Sequence, residues 1–129
     1  MHEPIPKETE LIASQVVEAA FRVHRSLGPG LLESVYETCL CHELQTMGVD
    51  YKQQVALPIR YGDIEIEGGL RLDVLAGECA IVELKAVEKM SPIFDAQVLT
   101  YLKLSNHRLG LLINFNVIKL KDGIKRIVL

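Results

Sequence analysis

The sequence predicts a single α/β domain over residues 1–129, with a mixed β-sheet flanked by helices. Three observations indicate this fold class. Apolar residues recur at helical spacing up to about residue 48, and from Asp50 onward the period changes to that of strands. The pair Ser91-Pro92 then begins a third helix before the last strands. The predicted order of elements is therefore ααβββαββ.

The three helices are predicted from about Glu8 to Ser26, from Leu31 to Met47 and from Pro92 to Ser105. Thr9 and Ser91 are the expected N-caps, since their side chains can accept a hydrogen bond from the first turn. The segment "LGPGL" separates the first two helices, because proline lacks a donor and the glycines permit a sharp turn. The apolar faces of the second and third helices are predicted to include Leu32, Val35, Ile93 and Leu104.

The strands follow from period-2 alternation between turn residues. "YKQQVALPIRYG" is predicted to be an edge strand, because Pro58 cannot donate to a central ladder. "GDIEIEGG" is predicted as a short strand or turn, followed by the strands "LRLDVLAG" and "CAIVELKAV" with a tight connection between them. The apolar run "LGLLINFNVI" predicts a strand covered on both faces, and "IKRIVL" the last strand.

The overall charge excludes bulk electrostatic attraction as a source of binding. The net charge is −3 with 24% charged residues, so neither nucleic acid nor an anionic membrane is attracted by the protein as a whole. Any binding to a polyanion requires a local basic patch.

The location expected from the sequence is the cytoplasm. Cys39, Cys41 and Cys79 show no paired Cys-x-x-Cys spacing, which favours a reducing compartment over a disulfide framework. The N-terminal segment "MHEPIPKETE" lacks the hydrophobic region of a signal peptide. No apolar run approaches the roughly 20 residues that cross a bilayer, so no membrane association is expected.

Charged residues interrupt two predicted core strands. Strand alternation places Leu70, Leu72 and Val74 on one face of "LRLDVL", and Asp73 on the other face with Arg71 and Leu75. On the next strand Glu83 and Lys85 share one face. If the two strands are neighbours in register, Asp73 meets Glu83 on that side.

Two adjacent buried carboxylates require a compensating cation. A divalent metal with a preference for hard oxygen ligands, Mg²⁺ or Mn²⁺, supplies one. Lys85 beside the pair is then suited to orient a metal-bound water or to stabilise charge on a phosphate. The alternative is a structural salt bridge of Lys85 with Glu83 or Asp73.

Polar residues on two helices are further candidates. Gln97 and Tyr101 are four residues apart, so they share a face of the third helix and need hydrogen-bond partners if buried. Glu33 follows the break at Gly28–Gly30 closely. The alternatives are a hydrogen-bonded core glutamine for Gln97 and stabilisation of the helix dipole for Glu33.

The segment "GPGLLESVYE" resembles the signature of the GxxExxY proteins, with Gly30, Glu33 and Tyr36 at the named positions. That family is grouped with the PD-(D/E)XK nuclease superfamily, whose restriction-endonuclease-like core has the order αβββαβ. The resemblance covers about Glu8 to Asn116. The core order itself matches from the second helix onward, with the first helix as an N-terminal addition.

The resemblance assigns roles to the residues singled out above. Asp73 and Glu83-x-Lys85 match the superfamily's metal-site pattern, although Leu72 stands where that pattern has proline. Gln97 and Tyr101 match the QxxxY pattern of the branch that resembles recombination exonucleases. The implied catalytic residues are Asp73, Glu83, Lys85, Gln97 and Tyr101. The implied ligands of Mg²⁺ or Mn²⁺ are Glu33, Asp73, Glu83 and the backbone carbonyl of Leu84.

The function implied is metal-dependent hydrolysis of phosphodiester bonds in nucleic acid, with DNA favoured over RNA. The competing hypothesis is a non-catalytic accessory module that keeps the nuclease fold and binds nucleic acid or protein. The small size of the chain is compatible with a homodimer or a protein partner.

Overall fold

A five-stranded mixed sheet with helices on both faces forms the protein, as the sequence predicts. The computed structural model describes residues 3–129. The segment predicted not to be a signal peptide begins with two residues that lie outside the described residues. The elements, in chain order, are α1 (Lys7–Leu27), α2 (Glu33–Thr46), β1 (Tyr51–Tyr61), β2 (Ile64–Ala76), β3 (Ala80–Lys85), α3 (Pro92–Ser105), β4 (Leu109–Asn114), a short 3₁₀ helix (Leu120–Gly123) and β5 (Ile124–Val128).

The strands follow one another across the sheet in the order β1-β2-β3-β4-β5. All neighbours are antiparallel except β3 and β4, which are parallel and joined through α3. The carboxyl ends of β3 and β4 therefore lie side by side, with Lys85 paired to Asn114. We call this end of the sheet the carboxyl edge.

Two hydrophobic clusters fix the helices to the sheet. On one face α1 and α2 pack against Val74, Val82 and Leu84. On the other face α3 packs through Val98 and Leu102. Every residue of β4 is buried, as its continuous apolar sequence predicts, because both clusters cover it.

The sequence predicts the N-cap of α3 correctly and that of α1 incorrectly. Ser91 is the N-cap of α3, and its Oγ accepts a hydrogen bond of 3.4 Å from the Ile93 amide. Thr9 as the N-cap of α1 is wrong: α1 begins at Lys7 after the extended Pro6, and Thr9 is buried within the helix. A threonine whose side chain faces the core is not available to cap the helix.

Two predicted apolar faces are partly wrong. Leu32 and Val35 of α2, and Ile93 and Leu104 of α3, are exposed, at 74%, 37%, 66% and 43%. The reason is that each helix packs through a narrow stripe, which in α2 consists of Tyr36, Leu40, Cys41 and Leu44.

The predicted short element "GDIEIEGG" belongs to the long strand β2. A two-residue turn at Gly62 and Asp63 connects β1 to β2, and the register shifts between Leu57 and Ile59. Pro58 lies in this irregularity on the edge strand, where its missing donor is tolerated. The bulge allows pairing to resume at Ile59 and Ile66, so the strand does not end there.

The predicted face alternation of β2 fails at Asp73. Leu72 packs in the cluster under α3 together with Leu75, whereas Val74 packs in the other cluster. The cause lies in β1, where Gln54 has a left-handed φ of 51° and the pairing of β1 with β2 omits Gln54 and Asp73. A non-glycine residue in this conformation interrupts the regular strand.

No helix among residues 3–129 is both long enough and apolar enough to cross a membrane.

Gly123→Ala is expected to destabilise the protein, because a Cβ there would clash with the backbone carbonyl oxygen of Asn114. That backbone cannot move without disturbing the end of β4, so a loss of roughly 1–3 kcal/mol in the free energy of unfolding is expected. Urea denaturation measures it, with the exposed neighbour Asp122→Ala as the control. Equal stability of the two variants would contradict the close packing at Gly123.

Candidate active site

The candidate site lies where β2 and β3 stop pairing. Their backbone ladder ends at Val74 and Val82, so Asp73 and Glu83 would form the next pair. Instead, the Asp73 amide donates to Glu83 Oε1 at 3.0 Å, and the Leu84 amide donates to Asp73 Oδ2 at 2.9 Å. Each carboxylate thus accepts the hydrogen bond of a backbone amide that has no carbonyl partner on the neighbouring strand. The structure brings together the two acids singled out by the sequence.

The surroundings of Glu83 favour its protonated form. Its side chain is 4% exposed, although its neighbour is another acid. Burial and then the charge of Asp73 raise the pKa of Glu83 to about 8, and a hydrogen bond from its protonated carboxyl to Asp73 adds to the effect. The charge of Lys85 acts in the opposite direction. At neutral pH the neutral form of Glu83 is therefore favoured when no cation compensates the two acids.

The backbone carbonyl of Leu84 faces the same gap. A residue in a strand directs its N–H and C=O toward the same neighbouring strand. Since the Leu84 amide bonds to Asp73 on the β2 side, its carbonyl also points there, beyond the last paired residues of the ladder. This oxygen lies beside the two carboxylates.

Lys85 ends β3 on the face covered by α3. Its ammonium Nζ lies 4.5 Å from the centre of the Phe94 ring. This cation–π contact holds a flexible side chain in place without neutralising its charge. Among residues 3–129, Lys85 forms no salt bridge with Asp73 or Glu83. The structural ion pair that the sequence left open is therefore not formed.

Helix α3 places Tyr101 beside the acids. Tyr101 is half-buried, and burial followed by the charges of Glu83 and Asp73 raises the pKa of its phenol. Gln97 lies one turn earlier and is also half-buried. The Gln97 side chain makes no hydrogen bond with the other described residues, so it is free to bind a ligand or water.

Glu33 is the first residue of α2. Burial and the charge of Asp73 raise the pKa of Glu33, while the charge of Lys85 lowers it. The charges of Asp73 and Lys85 therefore act on the carboxyl of Glu33, although α2 packs on the face of the sheet opposite to α3. Its first-turn position also favours a negative charge through the helix dipole.

Tyr36 holds the loop that leads to Glu33. Its hydroxyl donates to Gly28 O at 2.7 Å and accepts from the Leu31 amide at 3.1 Å. Its ring is fully buried and stacks on Phe115, with centroids 4.6 Å apart. Gly30 in this loop has a φ of 97°, which is accessible to glycine. Tyr36 therefore positions α2 and does not face the acids.

Sequence reasoning missed two residues that support the site. Asn114 is buried at the end of β4; its side chain accepts from the Val87 amide and donates to the Val87 carbonyl. It thereby fixes the segment after Lys85. An asparagine closing a fully apolar strand was the available signal, because a buried amide requires partners.

Glu37 is the second. Its two carboxylate oxygens accept from Gln53 Nε2 at 3.0 Å and Gln54 Nε2 at 2.8 Å. Glu37 thus binds β1 at Gln54, the residue opposite Asp73. No local pattern in the sequence links these residues, which are brought together only by the packing of α2 on β1.

The family model of the PD-(D/E)XK nuclease superfamily matches residues 10–127. The chain belongs to the PD-(D/E)XK nuclease superfamily. No curated protein and no solved structure gives a significant match to the chain. Membership implies a nucleic-acid substrate, and PD-(D/E)XK nucleases usually use divalent metal ions such as Mg²⁺.

The donors of this PD-(D/E)XK domain suit such an ion. Among residues 3–129, no three His, Cys, Asp or Glu side chains lie close enough together to hold a metal. Mg²⁺ needs only one or two carboxylates, because it keeps several of its waters. Asp73 and the buried Glu83 supply these, and the Leu84 carbonyl adds a third hard oxygen. A cation there would also compensate the repulsion that raises the pKa of Glu83.

Glu83→Gln is expected to stabilise the metal-free protein at high pH. Because the folded-state pKa of Glu83 is raised, the wild type has its full stability below the ordinary pKa of a glutamate and loses stability as the pH rises to about 8. Glutamine does not titrate. Urea denaturation in EDTA should therefore show similar stabilities at pH 4.5 and a more stable variant at pH 8.5. Glu88→Gln is the exposed control. A difference that does not vary with pH would contradict the assignment.

Tyr36→Phe is expected to loosen the loop before α2. The variant keeps the stacked ring but leaves the Gly28 carbonyl and the Leu31 amide without their partner, at a cost of about 1–3 kcal/mol. Urea denaturation and hydrogen exchange at the Leu31 amide measure the effect. Tyr51→Phe is the matched control, since its hydroxyl makes only an exposed contact of 3.5 Å. Unchanged exchange at Leu31 would refute the anchoring role.

Proposed function

We propose that this domain hydrolyses phosphodiester bonds of nucleic acid with the help of a bound Mg²⁺ or Mn²⁺. The observation that carries the proposal is the buried pair of Asp73 and Glu83 at the end of the β2–β3 ladder, with Lys85 held beside it. A purely structural role does not account for a raised pKa at Glu83 next to a cation that forms no ion pair. Membership of a nuclease superfamily supports the same conclusion.

The chain divides the work among its elements. Asp73, Glu83 and the Leu84 carbonyl would hold the ion, and Glu33 would contribute through a water. The bound metal supplies Lewis-acid activation of water and stabilises the charge on the phosphoryl oxygens. Lys85 orients the attacking water, and its position over Phe94 preorganises the ammonium for this task.

The residues on α3 act on the substrate side. Gln97 has an unused amide one turn from Tyr101, so we assign it to orienting Lys85 or a phosphate oxygen. The Tyr101 phenol lies in the field of both acids and donates a hydrogen bond at neutral pH, because its raised pKa keeps it protonated. Both groups are half-buried and lie one turn apart on α3.

Within the superfamily, we assign the chain to the GxxExxY group. Support comes from the different tasks of the three residues: Gly30 permits the left-handed turn, Tyr36 anchors it, and Glu33 lies near Asp73. Three further points stay predictions: the preference for DNA over RNA, the cytoplasmic location, and action as a homodimer or with a protein partner.

A second candidate is a non-catalytic module that binds nucleic acid or protein. It is favoured by the hydrogen bonds of the two acids, each of which accepts a backbone amide of the other strand, and by the lack of a third acid close to them among residues 3–129. Calorimetric titration with Mn²⁺ separates the two. Binding that disappears in Asp73→Ala and Glu83→Ala supports the nuclease, and no binding by the wild type supports the module.

Lys85→Ala is expected to lower metal-dependent cleavage by at least about a hundredfold, because one preorganised stabilising group at the reacting phosphate is removed. The assay follows a panel of labelled DNA and RNA substrates with Mn²⁺, Mg²⁺ or EDTA. Lys103→Ala is the control, because Lys103 is exposed and lies in the last turn of α3, whereas Phe94, which contacts Lys85, lies in the first turn. Circular dichroism verifies that both variants are folded. Cleavage that persists unchanged in purified Lys85→Ala, or in EDTA, would exclude the mechanism.

A further inference from the structure

A second feature at the carboxyl edge is an open cleft of about 400 Å³ between the end of α1 and the segment that follows β4. We call it the α1–β4 cleft. It is lined by Phe21, His24, Arg25, Ile118, Lys119, Leu120 and Lys121.

The α1–β4 cleft differs in charge from the other main clefts on the described residues. Three of its lining residues are cationic, and a histidine accompanies them, but none is acidic. The three other clefts each contain a glutamate, which is Glu43, Glu10 or Glu78. In a protein with a net charge of −3, an acid-free basic cleft is a local departure from the average surface. It supplies the local basic patch that binding of a polyanion requires.

The cations of this cleft are not used by the fold. Arg25, Lys119 and Lys121 are exposed and form no salt bridge or side-chain hydrogen bond with the other residues described. His24, in contrast, is engaged: its Nε2 donates to Val117 O at 2.8 Å. This bond ties α1 to the segment after β4 and keeps the two walls of the cleft in fixed positions.

The same segment connects the cleft directly to the candidate active site. The Phe115 amide donates to the Lys85 carbonyl at 3.0 Å. Lys119 is four residues beyond Phe115, so the Cα atoms of Phe115 and Lys119 are at most about 14 Å apart. A nucleic-acid strand has one phosphate per roughly 3.4 Å of duplex axis, which makes this distance equal to a few nucleotides.

We propose that the α1–β4 cleft binds backbone phosphates of the nucleic acid a few nucleotides from the bond at Lys85. Arg25, Lys119 and Lys121 contact the phosphate oxygens, and binding releases the counterions of those phosphates. The half-buried Phe21 and the exposed Ile118 add apolar surface that can contact the sugars. The inference rests on the proposed nuclease function for its substrate, and it adds a binding site that positions the strand without determining which sequence is bound.

The test measures binding in EDTA, so that it does not depend on cleavage. The probes are a fluorescein-labelled duplex DNA of 30 base pairs and a single-stranded RNA of one of its sequences, followed by anisotropy between about 50 and 200 mM salt. The variant is Lys119→Ala/Lys121→Ala. The control is Lys7→Ala/Lys103→Ala, which changes the net charge equally. Lys7 begins α1, about 27 Å from Arg25 along the helix, and Lys103 lies in the last turn of α3.

The cleft variant is expected to bind at least one probe roughly tenfold more weakly at about 0.1 M salt, with a salt dependence reduced by about two phosphate contacts. The control should bind like the wild type, and Lys119→Arg/Lys121→Arg should restore affinity. An equal loss in both alanine variants would indicate bulk charge and overturn the proposal. No loss with either probe, or no binding by the wild type, would overturn it as well.

The result is separable from the cleavage assay. Cleft-dependent binding by a protein that never cleaves would refute the nuclease function and leave the cleft in place. Metal-dependent cleavage with binding that is indifferent to Lys119 and Lys121 would refute the cleft alone. Thermal unfolding of each variant confirms that the substitutions, all at exposed positions, leave the fold intact.

Discussion

The exchange of carboxylates between β2 and β3 is the interaction on which the rest of the site depends. Two strands that separate leave unpaired backbone amides, and buried amides without partners cost about 1–3 kcal/mol each. Asp73 and Glu83 satisfy the amides of Leu84 and Asp73 in place of the lost ladder. The strands therefore separate at a defined residue, and the opening that results is lined by acids.

This arrangement explains why the site is built from several elements. Neither strand alone brings two carboxylates together, and α2 and α3 come from opposite faces of the sheet to reach the opening. Glu33 and Tyr101 both respond to the charge of Asp73, which shows that the two helices meet the same electrostatic field. A domain of 129 residues thus places two neighbouring acids, one of them buried, at the end of a strand ladder.

The sequence predicts most of the fold and the residues that the site brings together, because these depend on local periodicity. Asp73 and Glu83 stand out as acids within otherwise apolar strands, and α3 begins at the Ser91 cap as expected. The errors occur where tertiary contacts override the local pattern. Gln54 has a left-handed conformation and bonds to Glu37 of α2, and the alternation of β2 fails at Asp73 opposite it. No property of a single strand contains that information.

The stack of Tyr36 on Phe115 has a consequence for the motions of the protein. The two rings join α2 to the segment after β4, whose Phe115 amide donates to the Lys85 carbonyl, and both rings are fully buried. Separating them exposes a large aromatic surface on each side, so neither segment can fray alone at low cost. The acid on α2 and the lysine on β3 thus belong to one cooperative unit, which opens as a whole or stays closed.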